Sequence, residues 1–91
     1  MLKRVRVIVS GFVQGVGYRS FARRVAQKHQ LPGFVRNIYN GDVEVVIEGE
    51  EDILLRMIED LSKGPTYGRV QNTKVEWYDY KGEFNEFFIK F

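Results

Sequence analysis

Between a run that alternates like a strand and a run with helical periodicity lie seven residues, Gly11 to Gly17, of which three are glycine. Without side chains at Gly15 and Gly17 an anion can come close to main-chain N–H groups. A loop that opens a helix also aims those groups near the positive end of the helix dipole. Arg19 falls in the first turn of that helix, where a guanidinium can grip two oxygens of a phosphate or carboxylate as a fork. An exposed cation there opposes the dipole by about 0.3–1 kcal/mol, and a bound anion removes the conflict. The plain alternative is a tight turn followed by a solvated arginine. The pattern speaks for anion binding and is silent on any reaction.

Several chemistries are excluded by residue type. No cysteine is present, so disulfides, thiolate catalysis and cysteine–metal sites are absent, and His29 is the sole histidine, which leaves no histidine pair for zinc. The glycine loop lacks the Gly-Lys-[Ser/Thr] ending of a Walker loop. Its Gly-x-x-x-Gly-x-Gly spacing also differs from the dinucleotide fingerprint. A formal charge of +2, from 14 basic and 12 acidic residues largely interspersed, suits a small anionic ligand better than a nucleic-acid surface. Apolar stretches are broken by charge every few residues, and the N-terminus enters a strand pattern directly. Neither a membrane span nor a secretory leader is expected, and the expected location is cytoplasmic.

The elements that must position the loop follow from periodicity. Val5, Val7 and Val9 alternate through a first strand over Arg4 to Ser10. Tyr18, Phe21, Ala22, Val25, Ala26 and His29 form one helical stripe, which Leu31-Pro32-Gly33 stops. Phe34 to Tyr39 and Asp42 to Glu48 flank Asn40-Gly41, a strong hairpin signal, with Val43, Val45 and Ile47 facing inward. The acidic run Glu50-Glu51-Asp52 opens a second helix striped by Ile53, Leu54, Met57, Ile58 and Leu61 and closed by Lys63-Gly64-Pro65. Arg69 to Tyr78 and Phe84 to Phe91 supply the last strands. The expected fold is α+β: a ferredoxin-like split βαβ sandwich in the order βαββαβ plus a short terminal strand, with two helices on one face of an antiparallel sheet. With 91 residues and 44% apolar content, a single domain over 1–91 is expected. Glu44 and Glu48 read as solvated strand charges, Trp77 and the terminal phenylalanines as core, and His29 as a helix-end residue. Phe12, Tyr18 and Tyr39 read as packing residues or as walls for a substrate.

On this pattern the segment Gly11-Phe12-Val13-Gln14-Gly15-Val16-Gly17-Tyr18-Arg19 resembles the acylphosphatase signature G-x-V-Q-G-V-G-[FY]-R. Gly33-Phe34-Val35-Arg36-Asn37-Ile38-Tyr39-Asn40-Gly41-Asp42-Val43-Glu44 is similar to that family's second motif, G-[WFY]-V-x-N-x-x-D-G-x-V-E. Asn40 stands where an aspartate is common, and Asn-Gly supports the same turn. The resemblance extends over essentially the whole chain. It implies hydrolysis of the carboxyl–phosphate bond of acyl phosphates. The main-chain amides of Gln14, Gly15, Val16, Gly17, Tyr18 and Arg19 would surround the phosphate, the Arg19 side chain would bind its oxygens, and Asn37 would hold the attacking water. Taken by itself, Asn37 reads first as a strand residue whose amide caps or bonds the neighbouring loop, and only the motif turns the reading toward a water-holding role.

Such a reaction asks little of the protein. A carboxylate leaves readily, so positioning and charge stabilisation carry the catalysis, with no cofactor or metal implied. The alternative from another class is a non-catalytic, phosphate- or anion-sensing ferredoxin-like regulatory domain, which would share the loop and have no use for a water-orienting amide. An RNA-binding module is disfavoured because the strand from Asp42 to Glu48 carries no aromatic residue. The expected partner is a small acyl phosphate, with inorganic phosphate as product, and no nucleic acid or membrane. A monomer is expected, with a dimer through the terminal strand as the alternative.

Overall fold

The computed structural model describes residues 1–91. Its elements are β1 (Leu2–Phe12), α1 (Tyr18–His29), β2 (Gly33–Asn37), β3 (Val43–Glu50), α2 (Glu51–Lys63), β4 (Arg69–Asp79) and β5 (Phe87–Lys90). They form one five-stranded sheet in the order β4-β1-β3-β2-β5. Two helices pack on it in the expected βαββαβ-plus-strand arrangement. The pairings β1–β3, β1–β4 and β2–β3 are antiparallel, while β2–β5 is parallel, so the sheet is mixed at one edge.

Alternation in β1 places Val5, Val7 and Val9 under the helices, directly across from Ile47, Val45 and Val43 of β3, and all six are fully buried. Ala22, Val25 and Ala26 of α1 and Leu54, Met57 and Leu61 of α2 close this core from above. Burying each of the larger of these side chains, the valine, leucines and methionine, is worth about 1.5–3 kcal/mol, which is why the two stripes lie against the sheet. α2 starts with Glu51 and Asp52 in its first turn, as the dipole favours, and has Lys63 in its last. α1 is closed by Gln30, whose N–H donates to Ala26 O and Gln27 O and whose left-handed backbone (φ 56°) turns the next N–H, of Leu31, onto Ala26 O at 2.9 Å.

Several expectations are corrected. β2 stops at Asn37 rather than Tyr39 because Ile38 N donates to Asp42 O at 2.9 Å and opens the turn. The last strand spans only Phe87–Lys90. Glu44 and Glu48 are buried, at 4% and 1% exposure, instead of solvated. No helix covers their face, but arginines from β1 and β2 and the segment after β4 do. Glu44 accepts from Arg6 Nε and Arg36 Nε, both at 2.5 Å, and Glu48 accepts from Arg4 Nη1 and from the main-chain N–H groups of Lys81 and Glu83. Trp77 (42% exposed), Phe88 and Phe91 are exposed, and Phe87 alone of the last three aromatics is buried. They belong to or follow the edge strands, over which the helices do not reach fully.

Candidate functional site

The chain from β1 to α1 crosses the end of the sheet as a loop whose glycines take conformations that side chains disfavour. Gly15 and Gly17 have φ of +76° and +79°, and the left-handed region costs other residues about 1–2 kcal/mol. Gly17 serves as the N-cap of α1 without any side-chain hydrogen bond, and the first turn holds no acidic residue. The opening N–H groups of a helix have no acceptor within it. The start of α1 therefore presents free donors and a positive dipole end with Arg19 beside them, whereas α2 has carboxylates at the same place.

Tyr18 fixes where this helix begins. Its side chain is buried, its hydroxyl donates to Leu61 O at 2.7 Å at the end of α2, and its ring sits 5.4 Å from that of Phe21. Burial raises the phenol's pKa far above its ordinary value, so it stays a neutral donor. The side chain is therefore an anchor, held in place where the residue meets the cavity. Val16 is half-buried against the core. Phe12 and Tyr39 are exposed and neither packs inward nor lines the cavity.

Gln14 holds the loop from the other side. Its Nε2 donates to Ile38 O at 2.9 Å and to Asp42 O at 2.8 Å. Those carbonyls flank the turn that follows Asn37, so one side chain ties the glycine loop to the strand end bearing Asn37. The motif implies a role for Gln14 only through its main-chain amide. The strap made by its side chain exists only in the folded chain.

Between these parts lies a cavity of about 260 Å³. Gly15, Gly17, Tyr18, Arg19 and Asn37 all line it, so residues from α1's start and β2's end meet there; Gln14 and Val16 do not line it. Val13, Ser20, Ile89 and Phe91 complete the walls and are not expected from the motifs. Alternation from Phe87 could have pointed to Ile89 and, one step further, to Phe91. The Arg19 guanidinium lies 4.7 Å from the centre of the Phe91 ring and has no carboxylate partner. Its charge is thus left to a ligand. His29, the sole histidine, lies at the far end of α1, with Nε2 2.8 Å from Asp60 Oδ2, and takes no part. No cluster of three or more His, Asp or Glu side chains suited to a metal occurs, and no helix is long and apolar enough to cross a membrane.

The chain is also similar to known proteins in sequence and in fold. The family model described as acylphosphatase matches residues 5–89. A relative from Pyrobaculum calidifontis, named acylphosphatase, is 45% identical over 89 residues, covering 97% of this chain and 81% of its own length. One of the same name from Moorella thermoacetica is 44% identical over 82 residues, covering 90% and 88%. The crystal structure of acylphosphatase from Bacillus subtilis superposes with a TM-score of 0.94 at 35% identity, over 100% of both chains.

Proposed function

Because the chain belongs to the acylphosphatase family and is an enzyme of that kind, we propose that it works by direct attack of water on phosphorus, with Arg19, Asn37 and the loop from Gln14 to Tyr18 as its machinery. The observation that carries this reading is the meeting of Arg19 and Asn37 in one cavity at an uncapped helix start. The substrate phosphate sits against the main-chain N–H groups of Gln14 through Arg19, and the guanidinium takes two of its oxygens. The side chain of Gln14 is engaged elsewhere, so its contribution at the phosphate is that of its amide.

The side-chain amide of Asn37 orients a water opposite the leaving group. The water oxygen forms the new bond to phosphorus as the phosphorus–oxygen bond to the acyl group breaks, and the electron pair leaves with the carboxylate. The proton given up by the water passes to a phosphate oxygen, so the products are a carboxylate and inorganic phosphate. Donors held in place before the reaction stabilise the charge spread over the phosphoryl oxygens, where most catalysis of phosphoryl transfer lies. No phosphorylated enzyme forms.

Steady-state hydrolysis of benzoyl phosphate, with inhibition by inorganic phosphate, tests the two roles separately. Arg19→Ala is expected to lower kcat/KM by about 10³-fold or more and to weaken phosphate inhibition. Asn37→Ala is expected to lower kcat by about 10²–10³-fold and leave phosphate inhibition nearly intact. An Asn37→Ala enzyme with most of its activity would remove that residue from the mechanism.

A further inference from the structure

Strand alternation sends neighbouring residues of β2 to opposite faces. Asn37 lines the cavity beneath α1, and Arg36 lines a separate cleft of about 290 Å³ on the face that no helix covers. Into this second cleft project five cations, Arg4, Arg6, Arg36, Lys81 and Lys90, with Glu44 as its only carboxylate. The carboxylates nearby are already committed. Glu44 is shared by Arg6 and Arg36, Glu76 pairs with Arg6, and Glu48 and Glu83 pair with Arg4.

Three of these cations are the least committed. Arg36 uses only Nε toward Glu44, and Lys81 and Lys90 form no ion pair. Arg36 and Lys90 are direct partners in the parallel β2–β5 register. Like charges set opposite one another across a sheet repel, and nothing in the fold answers Lys90 except the face of Phe34, 4.8 Å from its Nζ. Tyr78, half-exposed in the cleft wall, adds a hydroxyl donor. Charge surplus, unused donors and a concave shape coincide at one place.

We infer that this cleft is a second anion site, distinct from the catalytic cavity, and that it takes a small phosphorylated molecule carrying at least two negative charges. Such a ligand bridges Arg36 and Lys90 and is closed over by Lys81. The inference is independent of how the catalytic cavity works, because the two sites use opposite faces of the sheet.

Pyrophosphate is the probe, titrated into the Arg19→Ala protein so that the glycine loop competes less, with amide NMR shifts as the readout. Saturable shifts at Arg36, Lys81 and Lys90, with one equivalent bound on that face, are expected. In an Lys81→Gln/Lys90→Gln variant the apparent Kd should rise about tenfold or more, since two charge-assisted contacts are lost. Neither lysine holds an ion pair and Lys90 gives up only its exposed contact with the Phe34 ring, so that variant folds, and with Arg19 restored it hydrolyses acyl phosphate at the usual rate. Arg36→Gln should weaken binding in the same direction. Shifts confined to Gly15–Arg19 would overturn the inference. So would a linear drift reproduced by sodium chloride, or unchanged affinity in the double variant.

Discussion

Replacing Gln14 by alanine removes the strap between the glycine loop and the end of β2. Its two hydrogen bonds, to Ile38 O and Asp42 O, measure 2.9 and 2.8 Å. Each carbonyl keeps one other donor, Gly41 N for Ile38 O and Ile38 N for Asp42 O. Neither is wholly orphaned, so the loss is about 1 kcal/mol per bond and about 2 kcal/mol in all. For a domain of this size that is a fall in Tm of roughly 8–16 °C. Freeing the loop also loosens the donors around phosphorus relative to Asn37, which lowers kcat by about 10–100-fold.

The informative partner is Gln14→Glu, which keeps the shape but turns an acceptor toward two acceptors. At neutral pH it should be less stable than Gln14→Ala. Facing carbonyls without a donor, the new carboxyl would titrate above its ordinary value of about 4.3. Its penalty is complete above that raised value and shrinks as pH falls through it, because a protonated carboxyl can donate to one carbonyl. Urea midpoints across pH, with kcat on benzoyl phosphate, give both quantities. If Gln14→Glu matches the parent in midpoint and kcat at neutral pH, the strap has no role and the reasoning fails.

Other expectations are simpler. Gly15→Ala meets no neighbour within 4 Å, so its cost comes from φ alone. That cost is about 1–2 kcal/mol by urea unfolding, with a larger proportional loss of kcat than of stability. At Glu44, burial pulls the pKa up, but hydrogen bonds from Arg6 and Arg36 outweigh it and hold the carboxyl below its ordinary value. Its stabilising contribution is present above the unfolded pKa of about 4.3 and is lost as pH falls through the lower folded value. Glu44→Gln, which keeps the shape and one acceptor, should therefore be less stable near pH 7 by about 1.5–3 kcal/mol and show a flatter acid limb in urea midpoints. His29→Ala should cost about 1 kcal/mol by loss of its bond to Asp60, whose pKa that bond lowers, and leave kcat unchanged. Treatment with EDTA should leave the rate unaltered, and loss of activity on chelation would contradict a metal-free mechanism.

Local features are legible in the amino-acid sequence alone. Glycines at Gly15 and Gly17, the stripe from Tyr18 to His29 and the Asn40-Gly41 turn concern neighbours within a few residues, where steric limits and helical or strand periods act directly. Hence α1 runs from Tyr18 to His29 as expected, and β3 follows the turn. The candidate site is legible to the extent that its two halves sit in two short motifs. What joins them is not local. Asn37 reaches Arg19's cavity only because β2 pairs with β3 and α1 packs back over β2 and β5. The roles of Gln14 as a strap, Tyr18 as an anchor and Phe91 as a wall beside Arg19 exist only in that assembly.

Burial depends on tertiary structure for the same reason. Glu44 and Glu48 alternate like exposed strand residues, yet arginines brought in from β1 and β2 and main-chain donors after β4 satisfy their oxygens and let both be buried. Trp77 looks like core by composition and is half-open because β4 is an edge. A residue's type and its near neighbours set which element it enters. Whether that position is covered, and by which charge or ring, depends on chain segments tens of residues away, and only the packed fold decides it.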